Sequence, residues 1–234
     1  MKAEALVQIP YVLGAVVFGS AARGNSDGHS DFDVFILCED LAFNELVGLR
    51  CQVADVLDCH PSSVSTYCLS NAMAMAQDGS LFMWHLKLEG QIAFSRGEVI
   101  EKLFRNLRPH RNYKADFVYY GSLLRDIEES LERFGKPNEF DLALLFTICR
   151  NTCMLLSFLA GKPRFGRRSA FVVADERLGS RCPVNRDTYE TLLGWKLWYE
   201  RGTARPKEEP ALERIAAIAD QVAELINLGL DMCS

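Results

Sequence analysis

The chain of 234 residues holds eight cysteines but no C-x₂-C pair, so the paired-thiol spacing of a structural zinc site is missing. Cys38, Cys51, Cys149 and Cys153 stand instead inside apolar runs, where a free thiol behaves as a small hydrophobe. That usage points to a reducing cytoplasm. There is no surplus of positive charge: 26 Lys and Arg against 31 Asp and Glu leave a net charge of −5. Extended nucleic-acid binding needs a basic surface and is argued against. No internal repeat or low-complexity tract stands out, and no apolar run reads as long enough to span a membrane. The stretch from Lys2 through Leu6–Phe18 to Ser20-Ala21-Ala22 mimics a secretory leader, but Glu4, Gln8 and Pro10 interrupt it. What is present is ordinary globular usage, 49% hydrophobic and 24% charged, enough for one large domain or two small ones.

The informative segment is Val17-Phe18-Gly19-Ser20, then ten residues rich in Gly, Arg, Asn and Asp, then Asp31-Phe32-Asp33-Val34. An apolar strand ends in Gly-Ser, and Asp-x-Asp opens the next apolar run. Residues two apart on a strand share a face, so Asp31 and Asp33 project together. Neighbouring carboxylates repel and take a cation between them. Mg²⁺ suits them, being a hard ion that shares its shell with substrate phosphates. Gly19 lets backbone approach a ligand closely, and Ser20 adds a hydroxyl and an N–H. Asp-x-Asp by itself is common at solvated strand ends, and Gly-Ser is an ordinary turn; specificity comes from the combination.

This arrangement, "VVFGSAARGNSDGHSDFDVFIL", resembles the nucleotidyltransferase superfamily of DNA polymerase β, in its minimal bacterial and antibiotic-modifying forms. The resemblance covers residues 11–104. It implies two Mg²⁺ ions, a bound nucleoside triphosphate with ATP as first candidate, and transfer of a nucleoside monophosphate to a hydroxyl with release of pyrophosphate. It also implies a third carboxylate on a later strand. "CQVADVLDC" resembles that strand and places Asp55 in the third position, with Asp58 as the alternative or as a turn residue. The implied catalytic and metal-ligating set is Asp31, Asp33 and Asp55. Gly19, Ser20 and Arg23 would hold phosphate.

Strands are expected near 13–18, 31–38, 51–58 and 90–95, and helices near 20–24, 41–49, 62–77, 80–88 and 97–107. Apolar residues on both faces of the strand after Asp33 call for cover on both sides of the sheet. From Asn112 the spacing is helical, and Glu139–Gly161, apolar all round, is expected as a buried central helix. The fold class is therefore α+β: a small mixed sheet flanked by helices over 1–108, then an all-α bundle over 109–234. The second part is similar to the helical domain of aminoglycoside adenylyltransferases, although "VVADERL" stands where that family has a Trp-containing motif. In that setting the bundle would bind the acceptor.

Arg150 lies in a strongly apolar helix, where an unpaired charge is costly. It is read either as a buried pair with Asp126 or Glu128, or as a phosphate or acceptor ligand, which its planar fork suits. Lys162, Arg164, Arg167 and Arg168 form the one dense basic cluster. They are either a solvated face or, with Arg150, nucleotide-binding residues. The acceptor is expected to be a small hydroxylated molecule such as an antibiotic. The alternatives are a protein or RNA acceptor of the antitoxin type, or a nucleotide-binding partner protein without turnover. Oligomerisation is left open.

Overall fold

The computed structural model describes residues 3–19, 33–203 and 211–233. They form two compact units, Met1–Arg111 and Asn112–Ser234.

The first unit carries a four-stranded mixed sheet in the order β3-β2-β1-β4. Its strands are β1 (Val12–Phe18), β2 (Asp33–Cys38), β3 (Val64–Cys68) and β4 (Gln91–Ser95). β1 runs antiparallel to β2 and β4, while β2 and β3 are parallel. Parallel neighbours need a crossover, and here it contains a helix, α2 (Phe43–Leu57). The helices are otherwise α1 (Ala3–Val7), α3 (Leu69–Gln77), α4 (Leu81–Glu89) and α5 (Val99–Arg105).

Both faces of the sheet are covered. Val34, Ile36 and Cys38 pack with Leu6 and Ile9 and with Leu49, Val53 and Ala54 of α2. Phe35, Leu37 and Val16 pack on the opposite side with Ala72 and Ala76 of α3, Met83 and Leu86 of α4, and Ile100 and Leu103 of α5. Each fully buried side chain of this kind contributes about 1.5–3 kcal/mol relative to exposure.

The strand expected over 51–58 is helical. "CQVADVL" is short enough to fit either period. The wider window from Phe43 places Leu46, Leu49, Val53 and Leu57 at steps of three and four, which is a helix stripe. The N–H of Ala42 donates to Glu45 Oε2 at 2.8 Å at its start. Asp58 ends it in the left-handed conformation, φ 55°. Conversely, β3 occupies part of the segment read as helix 62–77. Residues 20–24, expected to be helical, lie outside the described residues.

The second unit is all helical: α6 (Tyr113–Phe134), α7 (Glu139–Leu159), α8 (Ser169–Leu178), α9 (Arg186–Arg201) and α10 (Leu212–Asp231). Asn138 and Asn185 start α7 and α9, each side-chain oxygen accepting a backbone N–H three residues on, at 2.8 Å, as N-caps do. α7 is the central helix and touches α6, α8, α9 and α10. It departs from the expectation that no run could span a membrane, for by length and composition it is able to cross one. Yet 67% of its most apolar stretch is buried inside the protein, which is what a core helix requires.

Candidate functional site

Asp33 opens β2 directly across from Phe18, the last residue of β1. Strand alternation puts its side chain on the face of Phe35 and Leu37, the side covered by α3, α4 and α5. Gly19 follows Phe18 with φ +74°, and a Cβ there would lie 2.6 Å from Asp33 Oδ2. Only glycine combines that backbone conformation with so close an approach. Gly19 and the Asp33 carboxylate are therefore fitted to each other. Asp31, Ser20 and Arg23 lie outside the described residues.

Aromatic rings pack along this face of the sheet, from Phe18 opposite Asp33 to Tyr67 opposite Leu37. Phe82 of α4 meets Phe18 edge-on at 5.6 Å, Phe35 at 6.0 Å and Tyr67 of β3 at 5.6 Å. Phe35 is fully buried beneath them, while Phe18, Tyr67 and Phe82 are half-buried. One turn further along α4, His85 stands edge-on to Phe18 at 5.5 Å. Its Nε2 lies 3.6 Å from Glu89 Oε2, with the two side chains 14% and 13% exposed. These residues were not singled out in the sequence. The visible signal was the i, i+3, i+7 spacing of Phe82, His85 and Glu89 on one helix face, leading to the strand that pairs with β1.

The third carboxylate does not stand where it was expected. Asp55 is exposed on α2, the helix packed on the face opposite to Asp33. The strand beside β2 is β3, whose sequence VSTYC offers Ser65 and Thr66 and no carboxylate. Among the described residues, no three His, Cys, Asp or Glu side chains come together as a metal shell.

In the helical unit the basic residues are largely engaged. Arg150 Nη2 donates to the carbonyl of Phe165 at 2.5 Å, and Nη1 to Asn151 Oδ1 at 3.1 Å. Arg168 binds both oxygens of Glu190, at 2.7 and 2.8 Å. The bond from Arg168 is the main reason the Glu190 carboxyl titrates below its ordinary value. The backbone carbonyl of Arg167 accepts from the Tyr189 hydroxyl, which burial pushes well above the usual phenol range. Lys162 lines an open polar cleft of about 420 Å³ with Leu159, Ala160, Val173, Glu176 and Arg177. The structure thus brings Gly19 to Asp33 and gives Arg150 and Arg168 partners within the helical unit.

Residues 3–78 match the family model described as "Polymerase beta, Nucleotidyltransferase". No curated protein matches the chain. Among solved structures, one described as "Crystal structure of the toxin-antitoxin with AMP-PNP" is similar at 17% identity and a TM-score of 0.34, over 57% of this chain and 98% of that one. The matched segment contains β1, the Gly19 turn, β2, α2 and β3, so the family pattern and the Gly19–Asp33 geometry fall on the same residues. The likeness to the polymerase β nucleotidyltransferases is thus carried by residues 3–78 of the chain.

Proposed function

We propose that the protein transfers a nucleoside monophosphate from a Mg²⁺-bound nucleoside triphosphate to a hydroxyl group. The observation that carries this reading is the contact between the Gly19 turn and the Asp33 carboxylate, inside the segment that matches the family. Asp33, with Asp31 two residues before it, would hold Mg²⁺ through hard carboxylate oxygens. Bound there, the ion would offset the charge of the triphosphate and of the departing pyrophosphate. Gly19 gives the triphosphate room to lie against backbone, and Ser20 and Arg23 supply donors to it. The acceptor oxygen attacks the α-phosphorus in line, the bond to the β-phosphate breaks, and the acceptor proton passes to solvent. Positioning carries most of such a reaction, and the rigid β1–β2 pair supplies it. The acceptor we favour is a small hydroxylated molecule.

One observation favours a second reading. Among the described residues β3 carries no carboxylate beside Asp33's strand, which supports a nucleotide-binding partner protein without turnover.

Calorimetric titration of ATP, CTP, GTP and UTP with and without Mg²⁺, on wild type and on Asp33→Asn, tests the site. Magnesium-dependent binding is expected in wild type and is expected to fall by about tenfold or more in the variant, as when a charged ligand group is neutralised. Absence of triphosphate binding by folded wild type would defeat both readings. Binding without any transfer of α-phosphate label to acceptors in cell extract would select the second.

A further inference from the structure

The cleft that Lys162 lines lies within the helical unit, between the end of α7 and α8. Its volume of about 420 Å³ falls in the range of small-molecule sites, roughly 300–1,000 Å³. Leu159 ends α7, Ala160 caps it, and Lys162 stands on the turn that follows. Hydrogen bonds fix that turn. The N–H of Lys162 donates to the carbonyl of Ser157 at 2.9 Å, and the N–H of Arg164 to the buried Ser157 hydroxyl at 3.0 Å. Phe158 and Phe165 meet edge-on at 5.3 Å. From α8 come Val173, Glu176 and Arg177, whose spacing of three and four sets them on one helix face. Val173 is nearly buried, whereas Lys162, Glu176 and Arg177 are exposed. Among the described residues, none of these three has an ion pair or a side-chain hydrogen bond.

Two cations and one carboxylate thus share a small cleft without pairing with one another. We propose that the cleft binds a small zwitterion of the apolar α-amino acid type, its carboxylate held by Lys162 and Arg177 and its ammonium group by Glu176. This site is independent of Gly19 and Asp33. Hydrogen bonds between ionised groups are the strong ones, and a ligand that carries both signs on one carbon can form them with all three side chains. The balance of two cations to one carboxylate decides against other occupants. A polycation meets two charges of its own sign for each opposite one. A simple anion leaves Glu176 facing a like charge, and a simple amine leaves Lys162 and Arg177 so placed. Unfavourable charges of this kind select as much as favourable ones do. Leu159, Ala160 and Val173 favour an apolar side chain on the ligand, because burying it gains free energy.

The test separates the two charges of the ligand. The full chain is titrated with L-leucine, L-methionine and L-phenylalanine, and with the deamino acid and the decarboxylated amine of each, by ligand-observed NMR. Saturable binding of at least one amino acid is expected below about 10 mM, the scale of a weak small-molecule site. Both of its half-ligands should bind about tenfold more weakly, as when one charged bond is lost. Lys162→Gln and Arg177→Gln should each weaken the amino acid by about tenfold. Glu176→Gln should do the same and bind the deamino acid more tightly than wild type, a reversal that loss of structure does not produce. All three side chains are exposed and unpaired, so the variants are expected to fold. Arg105→Gln, which removes an exposed cation of α5, should leave every ligand within about twofold. No saturable binding of any of the three amino acids overturns the site. Equal binding of amino acid and deamino acid by wild type also overturns it, as does binding that the cleft variants leave unchanged.

Discussion

A single methyl group at position 19 is expected to do more damage than the loss of many surface charges. In Gly19→Ala the new Cβ meets Asp33 Oδ2 at 2.6 Å, and the residue must hold φ +74°, a conformation that costs an L-residue of order 1–3 kcal/mol in strain. The carboxylate is pushed aside, so turnover should fall by about a hundredfold, the scale of a 1 Å misplacement at a reacting centre. Steady-state kinetics checks this, with a melting curve to show that the fold survives. Asp55→Asn is the counterpart. Asp55 is exposed on a helix packed against the other face of the sheet, and its neutralisation should leave activity within about twofold, as for a surface change remote from the site. A hundredfold loss in the same assay would return Asp55 to the catalytic set.

At the level of elements, β1, β2, α4 and β4 were legible because each is a short apolar or amphipathic run with a sharp end. Gly19, Gly90 and the Asp-x-Asp motif punctuate them. The crossover was not legible. Residues 51–58 are helical where a strand was expected, and 64–68 are a strand inside the segment expected as helix 62–77, since local windows of seven residues fit both periods. What decides is tertiary: a parallel β2–β3 pair cannot close without a connecting element, and no residue in β3 announces that pairing. The displaced third carboxylate is the same error seen at the site. The partners of Arg150 and Arg168 were not legible for another reason, because a carbonyl of Phe165 and a carboxylate of Glu190 are set by how helices meet and not by charge density along the chain.

The Arg168–Glu190 pair joins the start of α8 to α9 and has a pH signature. Glu190 titrates below its ordinary 4.5, chiefly through its bond to Arg168. The folded state therefore binds that proton less readily than the unfolded chain. The pair's contribution is present in full above the unfolded value and disappears as pH falls through the lowered one. Wild type should melt above Glu190→Gln at neutral pH, with the two curves converging as the pH falls through the lowered value. Both side chains are substantially exposed, Arg168 at 63% and Glu190 at 37%, so the gap should be a small one that added salt narrows.

On the scale of the whole molecule, function-bearing and stability-bearing residues are unevenly shared. The first unit places a carboxylate and a left-handed glycine at one end of its sheet. Cores on both faces of that sheet fix the backbone there. The second unit concentrates its apolar mass in α7, where Leu145, Ile148, Cys149, Cys153 and Leu155 have no exposed surface at all. An acidic balance of −5 limits association with polyanions and sits well with a compact anionic substrate that brings its own cations.

The composition of α7 sets a schedule for synthesis. Three of the helices that cover it, α8, α9 and α10, follow it in the chain, and α6 alone precedes it. At about 5–20 residues per second, the ribosome releases the greasiest helix of the protein seconds before α9 has emerged to shield it. During that interval a segment able to enter a bilayer is bare to everything around the nascent chain, and holdase capture or mistaken membrane insertion competes with folding.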